Sequence, residues 1–346
     1  MSPASRASSQ VVPSRTRAVA LLSGGLDSTL AISLLLEQGI EVLAVSFVSP
    51  FCTCTPRKSV GCHLASDVAR SLGVEIRVIP KGMDYLKIVE RPRFGRGRGL
   101  NPCIDCRIYM LRKAAEVMAE IGASFVVTGE VLGQRPMSQH RGALALIERE
   151  SGLAEKILRP LSAHLLEPTL PEKAGIVNRD KLRGISGRSR QEQLGLARER
   201  AIEVFGCPAG GCLLTDPNIA RRMQDVFDRC EDWDLRDAKL ATLGRHFRLN
   251  DRLKVIMGHN EAENVRLAGL AEGLSVAELA SHPGPLAVLR GKYGESDLDN
   301  VGRLIRHYAR KVTDSTVELR LEDRGHIETW KCGAPATDEE ITHWLI

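Results

Sequence analysis

Residues 18–39 read AVALLSGGLDSTLAISLLLEQG, and the order of residue types in this stretch decides the fold class. Ala18 to Leu22 is a short apolar run without alternation, as a parallel strand covered on both faces requires. Ser23 to Ser28 is a glycine-rich turn. Thr29 to Gln38 carries helical apolar periodicity and stops at Gly39, a residue type that closes helices. Ile40 to Val48 is strand-like again. Strand, loop, helix and strand make one crossover unit, whose connection is expected to be right-handed.

The alternation continues outward. HLASDVARSLG reads as a helix and VEIRVIP as a strand. A basic loop, RPRFGRGRGLNP, follows at 91–102. A helix is expected over 104–121, and SFVVTGEVL is a strand running into a loop. Alternating strands and helices imply a doubly wound α/β domain with a mostly parallel sheet. Residues 151–215 are less regular, with Pro160, Pro168, Pro171 and a GISGRSR stretch. Near residue 245 the composition changes: RLKVIMG, GPLAVLRG and STVELRLED are strand-like, with helical stretches between. The expected organisation is a disordered tail (1–16), an α/β domain (17–216), a connecting helix (217–244) and a smaller α+β domain (245–346). No internal repeat is visible.

Composition sets the outer bounds. At 346 residues the chain is long enough for a full core without disulfides. Its 43% hydrophobic and 26% charged residues exclude disordered, collagenous and coiled-coil classes. It has no 18-residue apolar run, so no membrane span is expected. The polar start, MSPASRASSQ, lacks an apolar signal core, and the chain reads as cytoplasmic. Charge is uneven: residues 1–240 carry 34 basic and 27 acidic side chains, residues 241–346 carry 14 and 16. Residues 77–113 alone hold 10 basic and 3 acidic. Such a local stripe suits a polyanion, and equally a solvated loop. Nine cysteines, an odd number, argue against a disulfide framework.

The turn Ser23-Gly24-Gly25-Leu26-Asp27-Ser28 is where chemistry is expected. Its glycines let the backbone approach a ligand. Successive N–H groups at a helix start bind an anion, aided by the helix dipole. Ser23 and Ser28 add hydroxyls. Asp27 would repel a bare phosphate, so Mg²⁺ is the expected bridge. The plainer alternative is a tight turn with a helix cap.

SGGLDS in this context resembles the pyrophosphate loop of the PP-loop ATP pyrophosphatases. It is not a Walker A motif, since no Gly-Lys-Ser/Thr ending is present. The resemblance implies cleavage of ATP between its α and β phosphates. AMP is attached to a carbonyl oxygen of the substrate, and a nitrogen or sulfur nucleophile then displaces it.

A second segment, residues 101–139, narrows the nucleophile. Its ending TGEVLGQRPMSQ resembles a segment of tRNA 4-thiouridine synthases, and its beginning NPCIDC resembles the cysteine segment of PP-loop tRNA thiolases. Thr128, Gly129 and Glu130 lie at the end of an expected strand, where open α/β sheets place their ligands, and Thr128 and Gly129 are expected at ATP. The resemblance implies contacts of Gln134, Ser138 and Gln139 with nucleotide or substrate, helix capping and loop hydrogen bonds being the alternative. Arg159-Pro160-Leu161 resembles the RPL element of the same domain. Cys103 and Cys106 form a Cys-x-x-Cys pair at a helix start beside Arg107, a setting that lowers thiol pKa and suits a metal centre. PAGGCLLTDP supplies Cys212. Three thiolates leave one iron of a [4Fe-4S] cluster open, and in cluster-dependent thiolases that iron is thought to carry the sulfur. Adding Cys207 would close the site and point to structural zinc. Persulfide chemistry on Cys106 or Cys212 needs no metal. Cys52, Cys54, Cys62 and His63 form a second set, a zinc site or plain thiols.

LKVIMGHNEAENVRLAGLA looks like the GRNAxEN element of the NFACT-R RNA-binding fold, with His259 at the arginine position. A protein-interaction or dimerisation domain is the alternative. The reading that follows is an ATP-dependent tRNA sulfurtransferase. Asp27, Cys106 and Cys212 are expected to be catalytic, and Cys103 with Cys106 and Cys212 to hold metal. Arg91, Arg93, Arg96 and Arg98 are expected on RNA phosphates, as is Gly187-Arg188-Ser189-Arg190 if it is not a solvated loop. A cysteine desulfurase or free sulfide is expected as sulfur donor, and a homodimer stays open. Two rivals remain: a PP-loop pyrophosphatase transferring nitrogen or acting on a small molecule, with structural zinc, and an RNA-binding protein with a relic nucleotide site.

Overall fold

The computed structural model describes residues 16–53, 63–206, 211–309 and 311–346. The expected tail lies outside them except for residue 16, and so do Cys54, Cys62 and Cys207. Among the described residues no helix is long and apolar enough to cross a membrane.

The chain divides into two units, and the division is interleaved. The first unit holds residues up to Val48, then Cys54–Pro80 and Cys103–Gly210; the second holds Ser49–Thr53, Lys81–Pro102 and Gly211–Ile346.

In the first unit β1 (Arg17–Leu21), α1 (Leu26–Leu36), β2 (Glu41–Val48), α2 (His63–Leu72) and β3 (Glu75–Pro80) follow the expected alternation. The second unit then contributes α3 (Met83–Glu90). The first unit resumes with α4 (Cys103–Glu120), β4 (Phe125–Val127), α5 (Arg141–Ser151), β5 (Ile157–Leu158), α6 (Leu170–Lys173) and α7 (Gln191–Glu199). Its five strands form one parallel sheet in the order β3-β2-β1-β4-β5. Strand β1 lies at the centre, where Ala18 faces Val42 on one side and Phe125 on the other. Burial on both faces is why β1 reads as an unbroken apolar run. Helix α1 starts at Leu26, three residues before the expected Thr29, so the last part of the glycine-rich turn is already helical. The strand expected from SFVVTGEVL ends at Val127.

The remainder of the second unit holds α8 (Pro217–Arg229), α9 (Leu235–Leu240), β6 (Arg245–Asn250), β7 (Leu253–Met257), α10 (Glu261–Ala268), β8 (Ser275–Leu279), β9 (Ala287–Gly291), α11 (Glu295–Tyr308), β10 (Val317–Asp323), β11 (His326–Cys332) and α12 (Asp338–Trp344). Its sheet runs β11-β10-β8-β9-β7-β6, antiparallel at every pairing. Helix α11 covers one face with Leu298, Val301, Leu304 and Ile305, in the core that also takes Leu319 and Trp344.

The expected connecting helix over 217–244 is two helices, because the chain breaks after Arg229 and Asp234 caps α9. Nor is α8 a free connector. Asp225 on α8 receives Arg248 at 2.9 and 2.6 Å and lies 2.8 Å from Lys254 Nζ. Lys254, 1% exposed, also donates to the carbonyl of Arg222 at 2.9 Å. Burial pushes the Asp225 carboxyl up, but Arg248 and Lys254 together hold it below its ordinary value. The boundary expected at 216 gives way for a similar reason. Leu100 N–H donates to the Leu214 carbonyl and Leu213 N–H to the Phe51 carbonyl, so the basic loop, residues 49–53 and the Cys212 turn share one unit.

Candidate active site

The loop between β1 and α1 lies at the carboxyl end of the central strand, where open parallel sheets place their ligands. Gly24 has φ of +76°, and a Cβ there would sit 3.0 Å from the backbone nitrogen of Ala65. Only glycine fits both the dihedral and the space. No side chain caps α1 at Gly25, which leaves the helix start open to an anion. The two serines brace the loop from inside. Ser28 Oγ donates to the Gly25 carbonyl at 2.9 Å and lies 3.1 Å from Ser23 Oγ. Leu26 is buried against Leu161, Ile185 and Leu196 and anchors the turn from below.

The segment after β4 packs directly on this loop. A Cβ on Gly129 would fall 2.5 Å from the backbone nitrogen of Ser28, so the chain leaves the sheet here and crosses the loop. This explains the early end of β4. Thr128 gives its hydroxyl proton to Glu130 at 3.1 Å. Its N–H is spent as well, on the Leu158 carbonyl at 3.0 Å, so Thr128 can meet a ligand only through its carbonyl, and Gly129 only through backbone.

Gln134 turns its side chain onto the loop. Its Nε2 donates to Asp27 Oδ2 at 2.6 Å, while its Oε1 accepts from Gln193 Nε2 at 3.1 Å. Asp27 Oδ1 is buried and has no hydrogen-bond partner. An unsatisfied buried acceptor costs about 1–3 kcal/mol, more when charged. A hard divalent cation bound to oxygen ligands would relieve that cost, so the residues present fit Mg²⁺. Ser138 and Gln139 are buried, and Gln139 accepts the Gly133 N–H at 2.7 Å through its backbone carbonyl, so both shape the turn that aims Gln134.

Below the loop lies a buried ionic network. Glu130 is 2% exposed and Arg159 3%. Arg159 Nε donates to Glu130 Oε2 at 3.0 Å and its other arm pairs with Glu148. Glu130 Oε1 lies 3.5 Å from Arg107 Nε, on the helix that begins with Cys103 and Cys106. Burial pushes the Glu130 carboxyl up, but Arg107 and Arg159 outweigh it and hold the group below its ordinary value. Arg159 of the RPL element is thus a buried brace.

Cys103 and Cys106 are half-buried at the first turn of α4. Arg135, exposed in area yet crowded by protein atoms, lies in the field of Arg107, Cys103, Arg190 and Asp27. Desolvation first, then Arg107, lower its affinity for a proton; Cys103 and Asp27 act the other way. Cys212 belongs to the second unit, where it pairs across an antiparallel bridge with Cys52. Thr53 Oγ1 ties that turn to the Gly211 carbonyl at 2.9 Å. Among the described residues no group of three or more His, Cys, Asp or Glu side chains is placed to hold a metal ion.

Of the basic loop, Arg91, Arg93, Arg96 and Arg98 are all exposed. Arg96 uses its guanidinium on the fold, donating to the carbonyls of Glu90 at 2.6 Å and Val89 at 3.3 Å and to Gln224 at 3.2 Å. Its guanidinium thus has protein partners that bind it to the fold as well as a face open to solvent. Arg188 is exposed, and Gly187 N–H donates to the Leu132 carbonyl at 2.7 Å, so GRSR runs beside the segment that carries Gln134. In GHNEAEN, Asn260 caps α10 through the Glu263 N–H at 3.1 Å, and Asn264 Oδ1 accepts the Leu286 N–H at 3.1 Å. His259 Nδ1 meets Glu263 at 2.7 Å. The motif is mainly a scaffold for the start of α10.

Sequence reasoning missed Gln193 and Arg135, and it expected Glu130 among the ligand contacts at the strand end, where the structure gives it a buried ionic role. Glu130 and Arg135 lay inside the quoted segment, but Gln193 sits 59 residues from its partner and carries no local signal.

Two family models match the chain, one over each end. Residues 14–165 match the family model for thiamine biosynthesis protein (ThiI). Residues 244–345 match the model for the NFACT protein RNA binding domain. A tRNA-specific 2-thiouridylase of Rhodopseudomonas palustris is 30% identical over 145 residues, covering 39% of this chain and 36% of the relative. A probable tRNA sulfurtransferase of Methanosarcina mazei is 30% identical over 127 residues, covering 34% and 28%. The chain thus spans about a third of the length of the curated relatives it matches. Among solved structures, a 4-thiouridine synthetase–RNA complex with bound ATP is 26% identical, with a TM-score of 0.35, covering 62% of this chain and 50% of its own.

Proposed function

We propose that the chain, in which a ThiI-type PP-loop domain is joined to an NFACT-R-type domain, is an ATP-dependent tRNA sulfurtransferase. The observation that carries this reading is the open helix start at Gly25 with the buried, unpartnered Oδ1 of Asp27 beside it. Together they suit a pyrophosphate and its divalent cation. Backbone of Gly24, Gly25, Leu26, Asp27 and Ser28, with Ser23, would cradle the β and γ phosphates. Thr128 and Gly129 would add backbone contacts, and Gln134 acts through Asp27. Mg²⁺ on Asp27 would offset phosphate charge.

In the proposed reaction a uracil carbonyl oxygen attacks the α-phosphorus of ATP and pyrophosphate leaves. The oxygen becomes part of AMP, a good leaving group. The terminal sulfur of a persulfide on Cys106 or Cys212 then attacks the carbon, and AMP departs. A second thiol attacks the remaining S–S bond, releasing the thiolated base and leaving a protein disulfide for an external thiol to reduce. A cysteine desulfurase, which delivers sulfur already at the persulfide level, is the proposed sulfur source. Free sulfide would serve by attacking the protein disulfide left after a turnover, which breaks that S–S bond and leaves a persulfide on one cysteine and a thiolate on the other. Cys103, Cys106 and Cys212 are the candidate ligands should a [4Fe-4S] cluster or zinc be present, with Cys207 as the alternative ligand. Arg91, Arg93 and Arg98 are proposed to meet RNA phosphates. A cytoplasmic location and a homodimer belong to the same proposal.

The test is direct. Asp27→Ala should abolish RNA-dependent release of pyrophosphate, and unchanged release would refute the site. Iron, sulfide and zinc content of protein purified without oxygen distinguishes cluster, zinc and bare thiols. Loss of one thionucleoside from cellular RNA on deletion of the gene identifies the product.

A further inference from the structure

Helix α7 enters the nucleotide site through one side chain. It packs Leu196 and Ala197 against Leu26, Leu30 and Leu34 of α1, and this contact buries Gln193 completely. Gln193 Nε2 donates to Gln134 Oε1 at 3.1 Å, and Gln134 Nε2 donates to Asp27 Oδ2 at 2.6 Å.

The direction of this chain follows from its end. A carboxylate only accepts, so Gln134 must turn its NH₂ toward Asp27 and its oxygen toward Gln193. That oxygen also only accepts, so Gln193 must present its NH₂. The charge on Asp27 thus sets both amide orientations, and the rigid helix α7 holds the far end. Two acceptors are left over, Asp27 Oδ1 and Gln193 Oε1, both buried and without a partner. The spare oxygen of Gln193 follows from the donor chain. The spare oxygen of Asp27 is the one available to a cation.

We propose that Gln193 is a positioning residue for the divalent cation of the nucleotide: through Gln134 it keeps Oδ2 of Asp27 occupied and reserves Oδ1 for the metal. The inference rests on reading the loop as an ATP site. Without Gln193 the Gln134 amide still points its NH₂ at the carboxylate but loses the anchor on its other side, so neither Gln134 nor Oδ2 of Asp27 is held where the metal needs them. Outer groups that orient a metal ligand in this way typically change metal affinity about 10- to 100-fold.

The experiment measures equilibrium binding of ATP to the full chain, once with Mn²⁺ and once with EDTA. Gln193→Met fills a similar volume but cannot donate. Gln193→Glu is isosteric and, as a carboxylate, competes with Asp27 for the NH₂ of Gln134. Both variants should weaken ATP binding with Mn²⁺ about tenfold or more, with binding in EDTA changed less than about twofold. A Gln134→Met/Gln193→Met double variant should lose no more than Gln134→Met alone, because the two act in series. If Gln193→Met lowers the thermal midpoint by several degrees, Gln193→Glu carries the comparison. An unchanged Mn²⁺-dependent gain in either well-folded variant overturns the proposal. So does equal weakening with and without metal, the mark of a merely structural role. Absence of ATP binding by the unsubstituted chain overturns the reading of the loop itself.

Discussion

Replacing Glu130 by glutamine removes one buried charge and almost no volume. In the parent, Glu130 Oε2 accepts from Arg159 at 3.0 Å and from Thr128 at 3.1 Å, with Arg107 3.5 Å from Oε1. Breaking a buried ion pair from one side costs about 3–5 kcal/mol, because the other charge stays in a dry site. Arg159 retains Glu148, so the expected loss for Glu130→Gln is lower, about 2–3 kcal/mol. Glu130→Ala also opens a cavity and strands the Thr128 hydroxyl, so it should cost about 4 kcal/mol or more. Urea unfolding of the full chain reads both, with a probe confined to the first unit, since two units need not unfold together. Arg159→Met combined with Glu130→Gln should recover part of the loss, because both charges then leave together. The pH dependence has a defined sign. Burial raises this carboxyl, but Arg107 and Arg159 lower it further, so the folded value lies below the unfolded one. Its stabilisation is complete above the unfolded value, about 4.3, and is lost as pH falls through the lower folded value. Glu130→Gln should flatten the stability profile in that window. A loss under about 0.5 kcal/mol, within the range of ordinary surface substitutions, would refute the reasoning.

Other outcomes are equally specific. Asp225→Ala strands buried Lys254 beside Arg248 and should destabilise the second unit by about 3–5 kcal/mol, whereas Lys254→Met should cost less; urea unfolding compares them. His246 is buried, and desolvation with Lys254 and Arg222 pushes its imidazole well below the ordinary value. Its contribution is therefore present above about pH 6.5 and lost as pH falls below it, so His246→Gln should reduce the acid sensitivity of the second unit. Replacing Arg91, Arg93 and Arg98 together by glutamine should lower the salt slope of RNA binding by about 2–3, at roughly 0.7–0.9 per phosphate contact. Arg96→Ala should instead lower stability, with little change in that slope, because its guanidinium is bound to Val89, Glu90 and Gln224.

Much of the first unit was legible because its signals are local. An apolar run, a glycine pair and a helical period lie within about twenty residues, and β1, α1 and β2 fall where they were expected to within three residues. The exchange of residues between units was not legible. Residues 81–102 sit between two stretches of the first unit in sequence, and it is contacts distant in sequence, such as Leu100 with Leu214 and Arg96 with Gln224, that assign them elsewhere. Arginine type alone likewise did not show that Arg96, as exposed as Arg91 and Arg98, is the one bound to the Val89 and Glu90 carbonyls.

By itself the sequence determined the layered α/β class, the place of the loop between strand and helix, and the residue types that loop offers. These depend on backbone geometry and periodicity, which act over a few residues. Only the tertiary structure decided which way those groups face and what holds them. The carboxylate of Asp27 is oriented by Gln134 and Gln193, the latter from a helix more than 160 residues on, and Glu130 is kept charged by arginines from α4 and from the residue after β5. Hydrogen-bond direction and burial are properties of neighbours in space, and no spacing along the chain encodes them.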